Sequence, residues 1–255
     1  MVKLSKRLQM IADRVPPGSR LADIGSDHAL LPTYLAQQGV IAFAVAGEVN
    51  PGPFEAATRQ VLESGLSAKI SVRSGDGLAV IEPGEVNVIT IAGMGGSLIA
   101  SILEAGKEKL QGVERLVLQP NVGEDHVRRW LLAEDWRLDA EAILEEDGKI
   151  YEILTATKGV SADSGTSQEQ LYADRTLPGG VHVSKERLLL MGPYLMTEAP
   201  EVWFAKWASE LNKLAMIEGQ LKHSAAEASA AKAENIAREI REIKEVLACL
   251  QKVKP

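Results

Sequence analysis

The chain of 255 residues has one cysteine, Cys249, so it can form no internal disulfide and no cysteine-cluster zinc site. A lone cysteine late in a helical stretch reads as a small buried residue. No apolar run reaches membrane-spanning length and no signal-peptide pattern is present, so no membrane association is expected and the cytoplasm is the expected compartment. No short-period repeat is found. There is no overall excess of basic residues: the formal net charge is -7, which argues mildly against nucleic-acid binding as a whole-surface property. The distribution is uneven, however. Lys3, Lys6, Arg7, Arg14 and Arg20 stand against only Asp13 in the first twenty residues, while acids gather between positions 134 and 152.

What is present is an ordinary globular composition, 45% hydrophobic and 25% charged, with enough length for a large α/β domain and an appendage. Leu4, Leu8, Ile11 and Val15 recur at helical spacing and predict an amphipathic helix over 3–15, stopped by Pro16-Pro17-Gly18. Short apolar runs then alternate with helical segments. Strands are predicted at 20–24, 41–48, 69–74, 86–92 and 114–119, with helices at 29–38, 53–64, 96–105 and 124–134. That alternation implies a parallel sheet covered on both faces. Two further strand-like runs, 137–144 and 150–157, flank the turn signal Glu145-Glu146-Asp147-Gly148 and predict an antiparallel hairpin at the sheet edge. Residues 159–168 read as a linker, and the apolar run 188–195 should dock on apolar surface. Beyond it, Phe204, Trp207, Leu211, Leu214 and Leu221, with Ile217 near a slot, and then Ile236, Ile240, Ile243, Leu247 and Leu250 follow heptad-like spacing around an Ala/Ser-rich stretch, 224–233. This predicts a coiled-coil hairpin, either an arm that grips a large substrate or a pair that packs on the core or dimerises. The expected domains are 1–160 and 161–255. Monomer and homodimer remain equally open.

In an open parallel sheet, ligands bind beyond the carboxyl ends of the strands. The segment RLADIGSDHALLP, 20–32, is a strand, a tight turn and a helix start, and Gly25 is its only glycine. A dinucleotide pyrophosphate requires close backbone approach at a second glycine, so a nicotinamide-dependent oxidoreductase is disfavoured. An acid followed by one glycine suits a ligand with adenosine but no pyrophosphate, such as S-adenosylmethionine. The other predicted strand ends carry Glu48, Asp76-Gly77, the run Ala92-Gly93-Met94-Gly95-Gly96, and Gln119-Pro120-Asn121. Glu48, 23 residues after Gly25, is placed to accept from both hydroxyls of a ribose. Asp76 is placed to accept from the adenine amino group, with Gly77 leaving room for the base. Asp23 either organises the methionine end of the ligand or only caps a helix. Asp27 caps the following helix or faces the ligand, and His28 contacts ligand or target or packs at the turn.

The fourth strand end lacks the Asn/Asp-Pro-Pro-aromatic motif with which many base-amine methyltransferases hold an exocyclic nitrogen. Its glycines instead display backbone amides and carbonyls, and Met94 offers an apolar surface to a flat base. Taken as an ordered set, DIGSDHALLP, AGEVNPGPFEAA, SGDGLAVIEPGEVNVITIAGMGG, VERLVLQPN and ILEEDGKIYEIL resemble the bacterial tRNA adenine N1-methyltransferases that act at tRNA position 22. The resemblance implies a class I, Rossmann-like methyltransferase fold with a mostly parallel seven-stranded sheet, S-adenosyl-L-methionine as cofactor, and the junction of the tRNA D-arm as target. The expected cofactor residues are Asp23, Gly25, Ser26, Glu48, Asp76, Gly77, Ala92 and Gly93; those expected at the reacting base are His28, Gly93, Met94 and Asn121, with no metal. Lys3, Lys6, Arg7, Lys206 and Lys213 are the candidate phosphate contacts. Two rival readings share the cofactor pocket: a methyltransferase of a small molecule or protein, and a non-catalytic RNA-binding protein.

Overall fold

The computed structural model describes residues 2–159, 167–222 and 227–253. Seven strands form one sheet in the order β3-β2-β1-β4-β5-β7-β6. The first five, β1 (Ser19–Ile24), β2 (Ile41–Glu48), β3 (Ile70–Ser74), β4 (Val88–Met94) and β5 (Arg115–Pro120), are parallel. The hairpin β6 (Trp136–Glu146) and β7 (Lys149–Lys158) closes the edge antiparallel to β5. Its two-residue turn, Asp147-Gly148, has positive φ at both positions, the conformation that matches the twist of the flanking strands. The hairpin strands therefore run closer to the turn than the four-residue signal predicted.

The helices α1 (Lys6–Ala12), α2 (Leu30–Gln37), α3 (Pro51–Glu63), α4 (Gly96–Ala105) and α5 (Glu124–Ala133) alternate with the strands. The central strands are almost continuously buried, as a sheet with two covered faces requires. Small residues on β2 and branched ones on its neighbours pack against helix residues in one core: Ala44, Ala46 and Leu21 meet Leu31, Leu35, Ala57 and Val61. The predicted first helix is shortened at its start, because Ser5 caps it by accepting a hydrogen bond from Leu8 N–H at 3.2 Å. The class I, Rossmann-like arrangement expected from the sequence is the one observed.

A charged cluster lies inside this unit. Arg128 on α5 donates to Glu141 on β6 at 2.6 Å and to Glu152 on β7 at 2.5 Å, and all three side chains have no exposure. It fastens the last helix to the hairpin by a contact whose partners must all be present.

The chain divides between Gln168 and Glu169 into two compact units, inside the short helix α6 (Gln168–Leu171). The predicted linker falls mainly on 160–166, outside the described residues. The second unit has a small two-stranded sheet, β8 (Arg175–Thr176) with β9 (His182–Val183), and helices α7 (Lys185–Met191), α8 (Pro193–Glu198), α9 (Glu201–Lys222) and α10 (Glu227–Val253). The apolar run 188–195 does bury itself: Leu188, Leu189, Met191 and Leu195 are inaccessible, and the Trp203 indole N–H donates to Met191 O at 2.9 Å. Helices α9 and α10 pack on each other. Ile240, Ile243 and Leu247 are buried, but Ile217 is 44% exposed. Opposite that end of α9, α10 offers Ala230, Ala233 and Ala237, which line a groove with Leu221 instead of filling the space. Residues 224–226 of the predicted connection lie outside the described residues. Among the described residues, no helix is long and apolar enough to cross a membrane.

Removing the guanidinium of the buried cluster strands two carboxylates. Arg128→Met is expected to lower unfolding free energy by about 3–5 kcal/mol in urea titration. Replacing Glu141 and Glu152 by leucine in the same variant is expected to recover most of that loss.

Candidate active site

The carboxyl ends of β1 to β5 share one edge, and the residues expected at each end meet there. Asp23, at the end of β1, is buried, and both its oxygens are engaged. Oδ1 accepts from the Thr90 hydroxyl of β4 at 2.6 Å, and Oδ2 accepts from the Ser26 hydroxyl at 2.5 Å. Burial is the main cause that raises its pKa above the ordinary value. The two hydroxyl donors and Arg7 oppose the rise, and the negative charge of Asp27 adds to it. Asp23 therefore does not cap a helix. It fixes the turn and ties β1 to β4.

After Gly25, three consecutive non-glycine residues, Asp27, His28 and Ala29, adopt positive φ. Each costs about 1–2 kcal/mol for an L-residue. What holds this loop is Glu48, whose Oε1 accepts from Asp27 N–H at 2.5 Å, while Gly25 and Ser26 N–H both donate to Gly47 O. The helix that follows has Ala29 at its N-cap and no side-chain cap, so the capping reading of Asp27 is overturned. The left-handed loop points the Asp27 backbone N–H at Glu48, and no side-chain bond caps the helix. His28 is exposed and pairs with Asp27 at 3.6 Å.

Glu48 itself is buried, and its carboxyl is held above the ordinary pKa by that burial and by the charges of Asp23 and Asp27, against the hydrogen bond from Asp27 N–H. Gly75 N–H donates to Glu48 O at 3.0 Å, which brings the Asp76 loop alongside. Asp76 is exposed and makes no side-chain cap bond to the helical turn it opens, so its carboxylate is available to a ligand.

At the other end of the crevice, Gly93 forms a bulge with φ +79° between Ala92 and Met94. The bulge turns both polar groups of Gly93 toward β5. Gly93 N–H donates to Gln119 Oε1 at 3.1 Å, and Gly93 O accepts from Asn121 Nδ2 at 2.8 Å. Gln119 Nε2 donates to Asn121 Oδ1 at 3.0 Å, and Asn121 N–H donates to Met94 O at 2.7 Å. The carbonyls of Gly93 and Met94 are thus spoken for by Asn121 and are not simply displayed. Met94 turns its side chain back over Gly25: a Cβ at position 25 would lie 2.2 Å from Met94 Cε.

Sequence reasoning gave Thr90 no part, named Gln119 only as a strand end, and gave Arg7 another role. Thr90 shares Asp23, and Gln119 is a fully buried amide at the end of an apolar strand. Arg7, read as a phosphate contact, is turned inward instead. Its Nη1 donates to Gln119 Oε1 at 2.5 Å, and its guanidinium stacks over Tyr151 with 5.3 Å to the ring centroid. The buried glutamine in LVLQPN was the available signal, since a buried amide must find partners.

The donor set tests the expected cofactor. Glu48 and Asp76 are acceptors beside the strained turn, and Asp23 and Asp27 add negative charge. Ribose hydroxyls, an adenine amino group and an ammonium are all donors, so an adenosine with a cationic amino-acid tail fits where a pyrophosphate would be repelled. Among the described residues, no group of three or more His, Cys, Asp or Glu is arranged to hold a metal ion.

Comparison with known proteins gives a consistent result. The family model TrmK, tRNA (adenine(22)-N(1))-methyltransferase, matches residues 21–245. The tRNA (adenine(22)-N(1))-methyltransferase of Bacillus subtilis strain 168 is 47% identical over 247 residues, 96% of this chain and 98% of the relative. The crystal structure of the B. subtilis M1A22 tRNA methyltransferase TrmK superposes with TM-score 0.85 at 46% identity, covering 96% of this chain and 99% of that one. Sp1610 of Streptococcus pneumoniae, solved in complex with S-adenosyl-L-methionine, gives TM-score 0.78 at 41% identity over 96% of this chain and 100% of that one.

The raised pKa of Asp23 has a defined consequence. Its contribution to stability is complete below the unfolded value of 3.8 and is lost as pH rises through the folded value. Asp23→Asn is therefore expected to melt at or a few degrees above the parent near pH 8, roughly 2–4 °C per kcal/mol, with the advantage shrinking toward acid pH. Differential scanning calorimetry across pH checks this. A variant whose deficit against the parent grows from acid to alkaline pH would overturn the raised pKa.

Proposed function

Because the chain belongs to the TrmK family of tRNA (adenine(22)-N(1))-methyltransferases, we propose a division of its crevice into an acceptor-rich end that holds the methyl donor and an amide-lined end that meets the base. The enzyme methylates N1 of adenine 22 in tRNA, with S-adenosyl-L-methionine as donor. When bound, that cofactor supplies an electrophilic methyl group on a sulfonium. The rest is the work of the chain's own side chains. The single observation that carries the reading is the pairing of a half-engaged buried Glu48 with an available Asp76 on neighbouring strand ends.

Glu48 gives Oε1 to the loop and keeps Oε2 for the ribose hydroxyls. Asp76 accepts from the adenine amino group, and Gly77 leaves the base room. Asp23, through Ser26 and Thr90, holds Gly25 where the methionine part approaches the backbone. Ala92 and Gly93 line the wall between the two ends. Met94 covers Gly25 from the base side, and His28 stands at the mouth of the crevice.

N1 of neutral adenine carries its own lone pair, so the site needs no general base before transfer. Alignment is the larger requirement. Asn121 is exposed, and its amide is already half-used: one N–H goes to Gly93 O, and Oδ1 accepts from Gln119. Its remaining N–H and lone pair meet an adenine edge other than N1 and leave N1 toward the methyl group.

The unit that ends at Gln168 carries this chemistry, and the unit that begins at Glu169 is the appended part. For the tRNA backbone, Lys3 and Lys6 are exposed and on the same segment as the site, whereas Lys213 is paired with Glu210 at 2.7 Å and Lys206 lies over Trp207. Lys3 and Lys6 are thus the first contacts we assign to phosphate. The setting of a tRNA-modifying enzyme fits the cytoplasm.

Two outcomes test these assignments. Glu48→Gln and Asp76→Asn are each expected to weaken S-adenosyl-L-methionine binding by about 10-fold or more in calorimetric titration, with melting temperature little changed. Because Glu48 must be ionised to face a cationic ligand and burial holds its carboxyl above the ordinary value, parent affinity is expected to fall as pH is lowered, beginning at a higher pH than an ordinary glutamate would give, and Glu48→Gln is expected to flatten that fall. Unchanged affinity in both variants would remove the two residues from the cofactor site. Separately, Lys3→Gln with Lys6→Gln is expected to weaken tRNA binding and reduce the slope of log affinity against log salt by about 1–2. An unaltered slope would move the phosphate contacts elsewhere.

A further inference from the structure

Gly93, Gln119 and Asn121 form a closed ring of hydrogen bonds with one sense of donation: Gly93 N–H to the Gln119 carbonyl, the Gln119 amino group to the Asn121 carbonyl, and the Asn121 amino group to Gly93 O. A side-chain amide can in principle turn over and exchange its donor and acceptor ends. Gly93 sets that sense, because its N–H can only donate and its carbonyl can only accept, and two groups outside the ring hold the Gln119 amide to it: the Pro120 carbonyl, which accepts from Gln119 Nε2 at 2.9 Å, and Arg7. Arg7 has only donors, and its bond to Gln119 Oε1, at 2.5 Å, is the shortest contact that amide makes and is charge-assisted. Gln119 has no exposure, so no water stands in for a lost partner.

Arg7 is itself held from two directions. Glu146, at the tip of the β6–β7 hairpin, accepts from the backbone N–H groups of Lys6 at 2.6 Å and Arg7 at 3.1 Å, and Tyr151 lies under the guanidinium. A side chain meant for a mobile phosphate backbone has no need of this anchoring.

We propose that Arg7 is a positioning residue for methyl transfer: acting through Gln119, it fixes the orientation of the Asn121 amide that meets the target base. The inference rests on the reading of Asn121 as a base contact. The side-chain contacts of Arg7 are to Gln119 and the Tyr151 ring, so its effect on the base runs through that amide. Its effect belongs to the productive alignment of bound tRNA, not to tRNA capture. That separates it from Lys3 and Lys6 on the same segment.

The test uses the full chain with a tRNA transcript carrying adenine 22. Arg7→Ala and Gln119→Met, which approach the ring from its two sides, are each expected to lower kcat by on the order of 10- to 100-fold. The KM for tRNA, its salt dependence and the calorimetric affinity for S-adenosyl-L-methionine are expected to stay within about twofold, a change worth only ~0.4 kcal/mol. Arg7→Ala added to Asn121→Ala is expected to cause no further loss, because the two act in series. The side-chain amide resonance of Asn121 in a 15N spectrum is expected to shift in Arg7→Ala without tRNA or cofactor present. Gln119→Met carries the test alone if melting shows Arg7→Ala unfolded. A raised KM with intact kcat and a shallower salt slope would make Arg7 a phosphate contact and overturn the proposal. Losses that multiply in the double variant, or an unmoved Asn121 resonance, would overturn it while leaving Asn121 at the base. An Asn121→Ala enzyme with unchanged kcat would overturn both readings together.

Discussion

The carboxylate of Asp23, buried at the seam between β1 and β4, is the constraint from which the rest of the crevice follows. Its bond to Thr90 fastens the two central strands at the point where the sheet reverses its strand order, and its bond to Ser26 sets the path of the chain as it leaves β1. From there the backbone enters a left-handed run that only a strong partner would hold, and Glu48 supplies it. Burying an acid that prefers a proton, beside a loop of unfavourable backbone angles, works against stability at neutral pH. Such an arrangement persists because the surrounding sheet overdetermines it, and it leaves the acceptors of the cofactor end in place before any ligand arrives.

The two ends of the crevice differ in kind. At the end built by β1, β2 and β3, formal negative charge accumulates on Asp23, Asp27, Glu48 and Asp76 around strand ends that follow one another in register. At the end built by β4 and β5, neutral amides form a directed ring, and the nearby cation is turned into an amide and an aromatic face. The acidic end favours a positively charged donor molecule. The neutral end presents donors and acceptors of fixed direction to a base, and a base is distinguished by that pattern and not by charge. Met94 lies between them, its side chain against Gly25.

Much of this was legible in the sequence because local chemistry dictated it. Continuous apolar runs ended in an acid, a glycine or an amide five times over, and the sheet does gather those five ends at one edge. The hairpin, the helices between the strands and the burial of 188–195 followed from periodicity and turn residues. What sequence missed was set by contacts between distant positions. Arg7 and Gln119 are 112 residues apart; Arg7 falls three residues after Leu4 and four before Ile11, at the edge of the apolar face, but helical spacing does not say which distant group a cation there will meet. Asp27 looked like a helix cap from spacing alone, and only the left-handed path of residues 27–29 removes it from that role. Ile217 lay only near a heptad slot and is 44% exposed; its neighbour Glu218 lines the groove with Ala230, Ala233 and Ala237.

A nucleophile that already owns its lone pair changes what a protein must supply. With no proton to remove first, a tuned base near N1 would add little, and the two acids of the crevice whose pKa burial raises, Asp23 and Glu48, lie at the cofactor end. The rate then depends on how narrowly the base and the methyl group are held, since small errors in approach cost more than small errors in charge. Rigid parts serve that purpose better than mobile ones. The bulge at Gly93 is locked by two side-chain amides, those amides are directed by an arginine, and the arginine is fixed by a hairpin carboxylate and a tyrosine ring. Each step in that chain removes a rotamer that would otherwise have to be ordered when tRNA binds. The first helix of the chain, which looks peripheral in the topology, is thereby tied through Arg7 to the amides at the ends of β4 and β5.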